Sequence, residues 1–115
     1  MSTVETENRF TELVAFIRDT IKEYELPIMR ETLIEDDLGV SGDDADELVI
    51  SFGKKYNIDI SNFNFAKYFY NEPGIFNFQS RQIKPFTVGH LEKAIIAGRL
   101  DEEVINSTNE QIKNK

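Results

Sequence analysis

The sequence has no cysteine, no tryptophan, a single histidine and only three prolines in 115 residues. Without cysteine there is neither a disulfide framework, nor a thiolate metal site, nor a thiol nucleophile, and the composition suits a reducing compartment. With His90 as the lone histidine, a histidine-rich zinc site or a histidine-based nucleophilic pair has too few partners. No apolar run approaches the ~20 residues needed to cross a bilayer, and Met1 to Phe10 is polar and acidic rather than a basic-then-apolar leader. The expectation is a cytoplasmic protein. Glycine-rich phosphate loops are missing as well: neither a Gly-x-Gly-x-x-Gly nor a Walker-type pattern occurs.

What is present is apolar material for one core and an excess of acid. Hydrophobic residues make up 40%, with nine Phe and four Tyr, enough for a single domain of this length. The net charge of -8 is concentrated. Residues Glu31 to Glu47 hold eight of the 21 acids (Glu31, Glu35, Asp36, Asp37, Asp43, Asp44, Asp46 and Glu47) and none of the 13 bases; outside that window 13 acids face 13 bases. Such a field repels nucleic-acid phosphates and anionic lipid and steers basic protein surfaces toward itself.

Periodicity predicts helices. Phe10, Leu13, Val14, Ile17, Ile21 and Tyr24 recur at spacings of three and four, with Ser2 and Glu5 as a capping pair before them and Leu26-Pro27 as the stop. From Pro27 to Gly42 no period holds, and the segment reads as a long ordered loop pinned by Ile28, Leu33, Ile34 and Leu38. Asp43 to Tyr56 resumes a helical face of Ala45, Leu48, Val49, Phe52 and Tyr56, with acids in its first turn and Lys54 and Lys55 in its last, complementing the helix dipole. A short helix is expected near Asn64 to Phe69. Thr87 to Gly98 is the last clear helix, Thr87 its N-cap and Gly98 its left-handed terminator. After Leu100 the chain turns polar, and 101–115 is expected to fray.

Three further chemistries were weighed on residue type. A calcium loop starting at Asp37 would need oxygen ligands at its third and twelfth positions, which are Gly39 and Leu48. Acids this numerous at one helix start suggest an open surface instead of an enclosed carboxylate pair. Phe63, Phe65, Tyr68 and Phe69 lack the interleaved Arg and Lys of a base-stacking surface and are expected in the core. Phe76 and Phe78, between Pro73-Gly74 and Gln79-Ser80, read as an apolar contact patch.

The run from Glu35 through Asp36-Asp37-Leu38-Gly39 to Asp46-Glu47-Leu48-Val49 resembles the prosthetic-group region of acyl carrier proteins, with its acidic pair, Leu-Gly and acidic helix. Phe52 to Ile60 and Thr87-Val88-Gly89-His90-Leu91 are similar to later landmarks of the same family. More narrowly, the Gly-Asp-Asp-Ala helix start, the Phe-Asn-Phe-x-x-Tyr-Phe group and the stretch inserted before Thr87 resemble an uncharacterised bacterial family of acyl-carrier-like proteins. The resemblance implies an all-α, acyl-carrier-like four-helix bundle over 1–100, with a long first loop and an insertion, Asn71 to Pro85, before the last helix. It also implies a monomeric, noncatalytic interaction module whose Asp36, Asp37, Asp43, Asp44, Asp46 and Glu47 dock the basic surface of another protein. One departure decides the cofactor expectation. Gly42 stands where carrier proteins place the serine that bears phosphopantetheine, so no arm is expected there. The alternative is a genuine carrier modified at Ser41, one residue earlier; the ordinary role of a serine before an acidic first turn is the N-cap.

Overall fold

The computed structural model describes residues 3–40, 42–68 and 85–107. The described chain is all-α: five helices, α1 (Thr3–Ile21), α2 (Gly42–Tyr56), α3 (Phe65–Tyr68), α4 (Val88–Ala97) and α5 (Glu102–Asn106), joined by loops that make two isolated bridges in place of any strand. None of these helices is long and apolar enough to cross a membrane.

The three longer helices pack through the faces their periodicity marks. Leu13 and Ile17 of α1, Ala45, Leu48, Val49 and Phe52 of α2, and Val88, Leu91 and Ala94 of α4 are buried in one core. Each fully buried Leu, Ile, Val or Phe contributes roughly 1.5–3 kcal/mol.

α1 begins at Thr3, directly after the expected cap position, and stops earlier than the sequence predicts. Lys22 adopts a left-handed φ of 60°, and the Glu23 N–H returns 3.2 Å to the Arg18 carbonyl, a Schellman-type close. The chain therefore leaves the helix axis before Tyr24, which is exposed and not on the buried face expected of it. The stop is set by this turn; the Leu26-Pro27 pair lies beyond it. The capping pair rests on Ser2 and the Glu5 side chain, which lie outside the described residues.

The loop between α1 and α2 is ordered by two devices. Ile28, Ile34 and Val40 are buried, and the backbone pairs with the start of α4: Ile34 N–H to the Phe86 carbonyl at 3.0 Å, Val88 N–H to the Thr32 carbonyl at 3.0 Å, and Gly89 N–H to the Arg30 carbonyl at 2.9 Å. That last approach favours glycine. A Cβ on residue 89 would lie 3.1 Å from the Arg30 carbonyl oxygen. Arg30 adds a second tie, reaching Glu92 of α4 with two bonds of 2.7 and 3.0 Å while its guanidinium carbon lies 4.2 Å over the Phe10 ring of α1.

α3 falls where the short helix near Asn64 to Phe69 is expected, and Phe63 and Tyr68 bury beside Phe86 as an aromatic group with centroid separations of 5.3–5.6 Å. Phe69, Phe76 and Phe78, and most of the Asn71 to Pro85 insertion, lie outside the described residues.

The stretch after Leu100 departs from expectation. Asp101 caps α5 by accepting the Val104 N–H at 3.0 Å, Val104 and Ile105 are buried, and Lys93 of α4 donates to the Ser107 carbonyl. The two valine and isoleucine side chains that looked too few to anchor a tail suffice because α4 offers both an apolar face and a cation at the helix end. The packed unit thus runs past residue 100 to Ser107; residues 108–115 lie outside the described chain.

Candidate functional site

The acid-rich window is carried by two elements. The loop supplies Asp36 and Asp37, and the first turns of α2 supply Asp43, Asp44, Asp46 and Glu47; all six are exposed. On α2 the division is a consequence of the helical repeat. Ala45, Leu48, Val49 and Phe52 face the core, which leaves 43, 44, 46 and 47 on the outer surface.

The six acids are not equivalent. The Asp37 carboxylate accepts the Leu33 N–H at 2.8 Å, and the backbone around it closes into a helical turn, with Asp37 N–H on the Leu33 carbonyl and Gly39 N–H on the Glu35 carbonyl. Asp37 is therefore a structural clip as well as a surface charge. Asp43 and Asp44 lie at the positive end of the α2 dipole, worth about 0.3–1 kcal/mol each. Asp36, Asp46 and Glu47 form no hydrogen bond or ion pair among the described residues.

Ile50 escaped the sequence reading. It is 43% exposed and lies one turn beyond Asp46 and Glu47, so the acidic face ends in an uncovered apolar side chain before Lys54. The signal was available: two residues past Leu48 on a helix is about 200° away from the buried face. Glu92 was missed for the opposite reason, since its partner Arg30 is 62 positions distant in sequence.

Gly42, which the acyl-carrier resemblance aligns with an arm-bearing serine, has φ 60°. Glycine offers no oxygen, and a side chain forced into the left-handed region costs about 1–2 kcal/mol, so the residue present does not fit a phosphopantetheine attachment. Ser41 lies outside the described residues.

His90, weighed as a ligand in sequence, is a half-buried cap. Its Nδ1 accepts the Thr87 N–H at 3.0 Å while its own N–H bonds the Thr87 hydroxyl at 3.3 Å, and its ring stacks on Phe86 at 5.7 Å. Burial, with Lys93 nearby, lowers its pKa from 6.5 to about 4. A neutral imidazole here does the work that Glu or Gln does in the usual capping box.

Residues 5–101 match a family described as "Protein of unknown function (DUF1493)". No curated protein and no solved structure matches the chain.

Proposed function

The chain belongs to that family, and we propose that it is a noncatalytic interaction module with an acyl-carrier-like helical bundle, which docks the basic surface of a partner protein through the acidic edge of α2 and carries no phosphopantetheine arm. One observation carries the reading: Asp43, Asp44, Asp46 and Glu47 crowd the exposed face of the first turns of α2, with Asp36 exposed in the loop before it, and among the described residues none of the five makes an ion pair. Crowded, unneutralised charge costs stability, and a complementary surface relieves that repulsion. Ile50 beside these acids gives the edge an apolar anchor, so the charges set the rate of encounter and the anchor sets how long the complex lasts.

Gly42 supports the absence of the arm. The competing reading, a carrier modified at Ser41, is separated by intact mass: coexpressed with a broad phosphopantetheinyl transferase, the protein is expected to keep its unmodified mass. A mass increase abolished by Ser41→Ala overturns the proposal. For the docking role, association rates of wild type and Asp43→Asn/Asp44→Asn with a basic partner should converge as the Debye length shrinks from about 10 Å at 0.1 M salt to about 3 Å at 1 M. Equal salt slopes for the two proteins would remove these acids from the encounter. The lost dipole interaction of about 0.3–1 kcal/mol per acid is partly offset by relieved repulsion, so the substituted protein should keep its stability to within about 2 kcal/mol.

A further inference from the structure

A second surface lies outside the acidic edge of α2. Between the end of α1 and Arg30, three large apolar side chains project into solvent: Tyr24 is 59%, Leu26 42% and Met29 56% exposed. Single exposed apolar residues are ordinary. Here three occur within six positions, on backbone that is held in place. One Glu23 carboxylate oxygen accepts the Glu25 and Leu26 N–H groups at 2.9 Å each, the Tyr24 hydroxyl donates to Asp19 at 3.1 Å, and the Met29 N–H donates to the Thr32 hydroxyl at 2.7 Å. Ile28, buried among these exposed neighbours, anchors the middle of the strip. Side chains fixed on such a support lose little further freedom when covered.

The charge around the strip indicates what covers it. Along residues 18–31, Asp19, Glu23, Glu25 and Glu31 flank it; of the cations in that same stretch, Arg30 is held by Glu92 and Arg18 by the Glu23 carbonyl, leaving Lys22. A second copy of a chain with net charge -8 would bring acid against this rim. A segment of opposite sign gains on both counts. We propose that Tyr24, Leu26 and Met29 form a second docking strip for a basic amphipathic helix of a partner protein, whose apolar side chains cover the three residues and whose Lys or Arg side chains meet Glu25 and Glu31. The strip shares no residue with the α2 edge.

The test uses a fluorescein-labelled synthetic amphipathic helix of Leu and Lys and a scrambled peptide of the same composition, titrated into three full-length proteins: wild type, Leu26→Ser/Met29→Ser and Asp43→Asn/Asp44→Asn. Wild type should favour the amphipathic peptide by about tenfold, a preference of about 1.4 kcal/mol. Leu26→Ser/Met29→Ser should lose that preference and Asp43→Asn/Asp44→Asn should keep it. Amide shifts on the bound wild type should cluster at Glu25, Leu26 and Met29, a readout that needs no variant to fold. An undiminished preference in Leu26→Ser/Met29→Ser, or shifts confined to α2, overturns the strip while leaving the α2 edge standing. Binding of wild type to phosphatidylcholine vesicles with no peptide preference, or dimerisation abolished by Met29→Ser, would overturn it in favour of a membrane or a second copy.

Discussion

A single imidazole gives this fold a predictable acid sensitivity. The Thr87 N–H needs an acceptor, and His90 Nδ1 provides one only while neutral. In the folded chain its pKa is about 4; once unfolded it returns to an ordinary value near 6.5. Between those values the unfolded chain binds more protons, so the stability this group contributes is complete above about pH 6.5 and is lost as pH falls toward 4. Partial exposure of the ring tempers the size of the effect to about 1–2 kcal/mol. His90→Gln keeps an acceptor at the same position of the capping box and does not titrate. Urea denaturation of both proteins at pH 7 and pH 4.5 should show the wild type losing about 1–2 kcal/mol more than the variant, and equal losses would show that the imidazole is not the sensor.

At the scale of elements, the loop between α1 and α2 behaves as a structural member in its own right. Arg30 ties the loop to two helices: its guanidinium lies over the Phe10 ring of α1 and pairs with the Glu92 carboxylate of α4, and its carbonyl accepts the Gly89 N–H of α4. Its side chain is 45% exposed and that of Glu92 only 10%, so the two partners respond unequally to loss. Arg30→Ala leaves a buried carboxylate unpaired and should cost about 1–2 kcal/mol, less than for a fully buried pair because water reaches the vacated site. A double-mutant cycle with Glu92→Ala should return a coupling of about 1 kcal/mol by denaturant titration; additivity would show that the pair is ornamental. None of this was legible from periodicity, which sees neighbours at three and four residues and has no access to a partner 62 positions away. The same limit explains α5. Val104 and Ile105 look isolated in sequence, and only the face of α4 makes them a core. Where the information is local, the reading held: Thr87 and Gly98 bound α4 as their side-chain chemistry requires, and α2 buries Ala45, Leu48, Val49 and Phe52 as its spacing requires.

For the molecule as a whole, charge and apolar exposure are laid out on its surface with little relation to the core. The acidic residues are legible as a window of composition, and the helical repeat of α2 turns four of them outward. Their unequal roles are not: that Asp37 holds the Leu33 backbone depends on a loop turn no pattern announces. Of the apolar strip, Tyr24 was read with the wrong sign, because it continues the spacing of α1 although Lys22 has already ended the helix.

The aromatic group joining Tyr68 to Phe86 has a consequence for how this chain can vary in length. Their rings lie 5.6 Å apart, both side chains buried, so residues 69–85 begin and end at nearly the same place in the core. In the unfolded chain, bringing two such ends together costs an entropy that grows only logarithmically with the number of residues between them, about 0.6 kcal/mol for each doubling. On chain entropy alone, residues can be gained or lost in this interval at small thermodynamic cost, which would make it a seam for insertion. Deleting residues 73–80, about half of the interval, should raise the free energy of unfolding by about 0.6 kcal/mol or leave it unchanged. A loss above about 2 kcal/mol in urea denaturation would mean that the interval contributes contacts of its own and is no seam.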